Sequence, residues 1–155
     1  MNDVRKMVMT LSMLVLLSPA ALVKAQQPEV DPNISYRRNV MKSIADNMGA
    51  IGDILKNRLP MNEHLADHAK NVERSAAMIA KAFEKQVNDN KEGGSKDEIW
   101  KEMAKFKEKA DALTKEAGAF VAVMGGGDSA AIMGQMQKVG KACKSCHEDF
   151  RKPKN

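Results

Sequence analysis

Apolar residues recur along this chain at steps of three and four, and no other feature narrows its fold as much. Ile34, Arg37, Met41, Ile44, Met48, Ile51 and Leu55 form the first such series. This spacing keeps one stripe of a helix turned toward near-parallel neighbours. Asp31-Pro32 supplies a cap and a first-turn proline, and Pro60 closes the segment. A second stripe reads Leu65, Ala69, Val72, Ala76, Ile79, Phe83 and Val87, with Asn62 as its cap. The run NDNKEGGS at 88–95 interrupts the pattern. Ser95-Lys96-Asp97-Glu98 then has the form of a capping box. It opens a third stripe through Ile99, Met103, Phe106, Ala110, Leu113, Ala117, Phe120 and Met124. Gly125-Gly126-Gly127 stops that helix, and Asp128 or Ser129 caps a fourth. Its stripe is Ile132, Met136, Val139, Cys143, Cys146 and Phe150, ended by Pro153.

Four such stripes with short connections predict an all-α fold, an antiparallel up-down-up-down four-helix bundle. The same stripes could serve an intermolecular coiled coil, but the proline and glycine breakers favour folding back within one chain. Aromatic residues are only 4% of the chain, and no alternating run suggests a strand.

The first 25 residues stand apart from this pattern. Arg5 and Lys6 precede an uncharged run from Met7 to Val23, and Val23-Lys24-Ala25 fits a signal-peptidase site. An uncleaved anchor would want about 20 apolar residues. The apolar centre here is shorter, and Pro19 follows closely. Residues 1–25 are therefore expected to be a cleaved signal peptide, leaving 26–155 as one domain. Export to the periplasm follows. The formal charge is +5, of which the leader holds two units, and the lysines are interspersed with Glu and Asp. No concentrated basic patch marks a nucleic-acid binder, and no stable membrane anchor is expected in the mature chain.

Both cysteines fall in KACKSCHEDFRK, with His147 directly after Cys146. On a helix, Cys143, Cys146 and His147 lie on adjoining parts of one face. C-x-x-C-H is the c-type haem attachment signature. Each thiol adds to a haem vinyl group, and the histidine becomes the proximal iron ligand. A zinc site would want a fourth ligand, and a thioredoxin-like pair would want a preceding strand. A structural disulfide would leave His147 without a role. One haem c on Cys143 and Cys146, with His147 on the iron, is the expected cofactor.

CKSCHEDFRK at the end of a four-helix bundle resembles the class II cytochromes c, a family that includes the gas-binding cytochromes c-prime and the low-spin cytochrome c-556 group. YRRNVM at 36–41 resembles their first-helix motif, and Ile99-Trp100 the start of their third helix. The resemblance spans essentially the whole mature chain and implies a periplasmic haem protein, monomeric or homodimeric, with protein redox partners.

The opposite face of the iron is less determined. In an up-down-up-down bundle, Met41 and Met103 are the seam methionines at suitable heights. Met48 lies about 10 Å beyond Met41 along the axis and is expected to be out of reach. The resemblance of YRRNVM to the family motif favours Met41 as sixth ligand. That implies a His/Met electron carrier rather than an enzyme, since no acid, base or nucleophile cluster is visible. The alternative is a five-coordinate iron that binds nitric oxide or carbon monoxide, with Met41 only packing over it.

Other residues have both a functional and a bland reading. A charge on a core stripe needs a partner, so Arg37 either snorkels from the bundle's end or pairs with a haem propionate. Arg151 resembles the arginine closing the family's haem motif, or is simply exposed. Trp100 is expected to pack near the cofactor. His64 and His68 stand four apart, but a solvated helix face explains them better than a metal pair.

Overall fold

In a computed structural model, which describes residues 30–126 and 128–153, the first helix starts where Asp31 and Pro32 place it. Helix α1 spans Pro32–Asn57. Asp31 Oδ1 accepts from the Asn33 backbone N–H at 2.7 Å, and Pro32 occupies the first turn, where no amide donor is missed. The Asn33 side chain and then its amide hold the Asp31 carboxyl below its ordinary range. Arg58 ends α1 in the left-handed conformation (φ 51°), returning its N–H to the Ile54 carbonyl. The expected signal peptide lies outside the described residues.

A 3-10 turn at Asn62–His64 leads into α2 (Leu65–Ala77); Asn62 makes no side-chain cap. Met78 separates α2 from a short continuation, α3 (Ile79–Ala82). Beyond the 83–97 connection come α4 (Glu98–Lys101), α5 (Met103–Met124) and α6 (Ser129–Phe150). Asp128 caps α6, its Oδ1 accepting from the Ala130 amide at 2.9 Å.

Two departures from the periodic pattern have local causes. The second stripe runs to Val87, yet the helix stops at Ala82. Arg37 donates from Nε to the Ala82 carbonyl (3.0 Å), from Nη1 to that of Val87 (2.9 Å) and from Nη2 to that of Lys85. The guanidinium thus takes carbonyls that would otherwise face a further turn of helix. The capping box at Ser95 does not form either. Asp97 is the N-cap, without a side-chain bond. The tail after α6 captures the preceding loop instead: Lys96 N–H donates to the Phe150 carbonyl (2.9 Å), Lys152 N–H to that of Gly94 (2.8 Å) and Gly93 N–H to that of Pro153 (3.0 Å). Ser95 pairs with Arg151 in an antiparallel bridge, so helical geometry cannot begin there. Glu102 (φ −121°, ψ 42°) then bends the chain between α4 and α5.

Helix α1 packs on α2, α2 on α5, and α5 on α6. With α2–α3 and α4–α5 each acting as one bent helix, this is the up-down-up-down four-helix bundle. Ile51, Ala69, Val72, Ala117, Phe120 and Val139 are fully buried and close one half of it. Their alanines let the backbones approach. The other half is different. There α1 and α6 scarcely touch, leaving a slot between them. Among the described residues no helix is long and apolar enough to cross a membrane.

A candidate haem site between the first and last helices

The slot has a volume of about 670 Å³, within the range of small-molecule and cofactor sites. Its α1 wall carries Met41, Ile44, Ala45 and Met48 at helical spacing. Cys143, Cys146, His147 and Gly140 line it from α6, and Phe106, Ala110 and Leu113 from α5. The aromatic end is built by Phe83, Phe106 and Phe150. Phe106 lies 5.1 Å from Phe83 and 5.3 Å, edge-on, from Phe150.

The two cysteines are free thiols. Burial raises both above their ordinary value, Cys146 to about 11, with the Lys109 charge pulling Cys146 back. They are neutral at physiological pH. A reactive dithiol needs the opposite, a depressed pKa in an electropositive setting. The raised thiols therefore speak against a thioredoxin-like role.

The turn that carries them is braced from α5. Lys109 Nζ donates to the carbonyl and hydroxyl of Ser145 (3.0 and 2.8 Å) and pairs with Asp149 at 2.9 Å, while Lys105 reaches Asp149 at 3.2 Å. These two lysines hold the Asp149 carboxyl below its ordinary range, and Asp149 with Glu102 raises Lys105. His147 stands in the braced turn, and its carbonyl accepts the Arg151 N–H that ends α6.

The polar mouth lies at the bundle's end. Arg38 holds Asp89 through two bonds (Nη2–Oδ1 2.6 Å, Nε–Oδ2 3.1 Å), and Arg151 Nε donates to the Gly93 carbonyl at 3.1 Å. Gly93 adopts φ 68°, a conformation glycine accepts at little cost. Arg37, Arg38, Lys42, Lys109 and Arg151 line the slot against a single carboxylate, Asp89. The slot is therefore largely apolar, and of its cations Arg38 pairs with Asp89, Lys42 with Asp46 and Lys109 with Asp149.

The predicted site residues sort unevenly. Cys143, Cys146, His147, Met41 and Arg151 meet at the slot. Met48, expected out of reach, also lines it, whereas Met103 packs on the core and is not on its wall. Arg37 borders the slot but does not snorkel: it is 3% exposed. Its charge rests on three carbonyls and between two rings, 5.0 Å from Phe83 and 5.1 Å from Trp100. Three of its five N–H groups are thus committed to the backbone of 82–87. Burial pulls its pKa down, while Asp31 and Asp89 pull it up. Trp100 stands behind the slot rather than on it, donating its indole N–H to the Phe83 carbonyl at 2.8 Å.

His68 bonds Asn47 Oδ1 through Nδ1 at 2.8 Å. Neither it nor His64 joins a group of three potential metal ligands among the described residues. Arg38, Asp89, Lys109 and Ser95 were not visible as site residues in the sequence. Asp89 and Ser95 lie in a glycine-rich loop stretch and Lys109 in a charge-mixed one, whose patterns signal only loop or surface, and Arg38 stands off the apolar stripe of its helix.

A bundle whose last helix turns two thiols and an imidazole toward a largely apolar slot is built as a helical-bundle c-type cytochrome. The family model described as Cytochrome C' matches residues 32–151, and the chain belongs to that family. It is 29% identical to cytochrome c' of Rhodospirillum rubrum, over 94% of this chain and 98% of the relative. It is 34% identical to cytochrome c-556 of Rhodopseudomonas palustris, over 88% and 91%. Among solved structures, it resembles a nitric oxide complex of a mutant cytochrome c prime from Alcaligenes xylosoxidans. The TM-score is 0.66 and the identity 26%, covering 79% of this chain and 94% of that one.

The family implies covalently bound haem, and the residues present suit that group. The thiols sit three apart on one helical face beside His147, and a largely apolar slot of this size can take a porphyrin. A buried hydroxyl on the slot wall, Ser95 Oγ, is left without a partner.

Proposed function

We propose that the protein is a periplasmic monohaem cytochrome of the c' type, with His147 as the only protein ligand to iron and the opposite face open to small gases. Cys143 and Cys146 would hold the haem, and His147 would set its position along α6. When bound, the haem supplies an iron that changes oxidation state and takes up diatomic molecules. The protein's part is to seal one face with α6 and to line the other with Met41, Ile44, Ala45 and Met48. Such a wall admits small apolar gases and excludes larger polar solutes. The nitric oxide complex among its structural relatives carries this reading most directly. Lys109 and Asp89, the acid and base candidates on the wall, are engaged with Asp149 and Arg38, which favours gas binding or electron exchange over turnover of an organic substrate.

A second reading has its own support. The cytochrome c-556 relative is the more similar of the two by identity, and Met41 offers a thioether from the slot wall. In that case Met41 is the sixth ligand, and the protein is an electron carrier exchanging with periplasmic redox partners.

Carbon monoxide titration of the reduced protein separates the two. On the gas-binding reading, wild type takes up carbon monoxide promptly, and Met41→Ala changes its affinity by less than about 10-fold, equivalent to ~1.4 kcal/mol. If wild type is inert and only Met41→Ala responds, Met41 occupies the site and the electron-carrier reading replaces this one.

A further inference from the structure

Glycine inside a helix costs stability relative to alanine, so a helical glycine calls for a reason. At Gly118 the chain supplies one, since a Cβ there would stand 3.0 Å from Glu73 Oε1. At Gly140, in the interior of α6, the chain supplies none. Among the described residues the glycine with positive φ is Gly93, so no left-handed turn requires glycine at 140. A Cβ added at 140 would meet no neighbouring group within 4 Å.

What marks Gly140 is its place. It lies on the wall of the slot and is itself accessible, as the wall of an open slot is. It stands three residues before Cys143 and seven before His147. Those spacings put all three on one side of α6, so a side chain at 140 would project beside the groups that hold the haem. Gly134, on the same helix, also has nothing within 4 Å of an added Cβ, but it does not line the slot. A missing methyl at 140 therefore widens the slot, and one at 134 does not.

We infer that Gly140 seats the haem: the lack of a side chain there lets the flat macrocycle lie against the α6 backbone. The inference rests on the reading that haem fills the slot. It makes glycine at 140 a requirement of the cofactor rather than of the chain. Cys143, Cys146 and His147 tie the ring to this helix, so the ring cannot retreat freely from an added methyl and must distort.

The test compares holoprotein of wild type, Gly134→Ala and Gly140→Ala. Mass establishes covalent haem, thermal melts report stability, and the out-of-plane haem modes of the resonance Raman spectrum report ring distortion. Gly134→Ala is expected to melt about 3–5 °C above wild type, the gain from replacing one helical glycine, with its Raman modes unmoved. Gly140→Ala is expected to melt at or below wild type and to shift those modes. Loss of covalent haem from Gly140→Ala alone is the same effect in stronger form, since alanine improves the helix and meets nothing in the chain. The same rise in melting temperature in both variants, with the Raman modes of Gly140→Ala unmoved, overturns the inference and leaves position 140 facing solvent. A wild type without covalent haem overturns the haem reading itself, and this inference with it.

Discussion

Changing both Cys143 and Cys146 to alanine yields protein from which acid-acetone removes all haem, and whose cooperative thermal transition is lost or strongly lowered. The first effect follows from the attachment chemistry, since no other cysteine exists in the chain to form a thioether. The second follows from the slot. Cavities in protein interiors cost about 24 cal/mol per Å³. Even a third of the 670 Å³ then corresponds to about 5 kcal/mol, comparable to the whole stability of a small domain. Packing between α1 and α6 is too sparse to close the gap. Either single replacement should leave one thioether and hence extraction-resistant haem. The check is pyridine haemochrome assay before and after extraction, with thermal melts of the same samples. Extraction-resistant haem in the double variant would remove the attachment assignment.

Arg37→Leu is expected to destabilise the bundle by about 3 kcal/mol or more. Hydrogen bonds to charged groups contribute ~1.5–3 kcal/mol each, and the Ala82, Lys85 and Val87 carbonyls would all lose their donor. Leucine cannot replace the cation held over Phe83 and Trp100. Partial rehydration of the 85–87 segment keeps the loss below the sum of three such bonds. Equilibrium urea denaturation measures it. A variant within 0.5 kcal/mol of wild type, the range of neutral surface changes, would show that the carbonyls find other partners.

Much of the scaffold is legible in the sequence because helix periodicity and end signals act locally. Asp31, Pro32 and Asp128 cap where their chemistry predicts. The stripe residues Ile44, Ile51, Val72, Phe106, Phe120 and Val139 are buried as their spacing requires. The haem motif is legible for the same reason: Cys143, Cys146 and His147 need only one helix to come together. What fails is long-range. Ser95-Lys96-Asp97-Glu98 has the right letters for a capping box, but a tail more than 50 residues later competes for its backbone. For Arg37 a stripe shows that a charge is buried and needs a partner, not that the Ala82, Lys85 and Val87 carbonyls will be brought to it. Met48 lies about two turns beyond Met41 on one helix, and helical rise alone does not say how far a slot between two helices extends. The slot between α1 and α6 runs far enough to include it. Trp100 is not itself on the slot wall; it packs against two residues that are, Phe83 and Arg37.

The central claim is that His147 holds the iron alone and that the wall bearing Met41 leaves the other face open. The ferric optical spectrum of wild-type holoprotein at neutral pH tests it most directly, because spin state reports axial ligation. A high-spin spectrum without a sulfur-to-iron charge-transfer band, unchanged in type by Met41→Ala, is the predicted result. A low-spin spectrum carrying that band, with the band abolished in Met41→Ala, would contradict it.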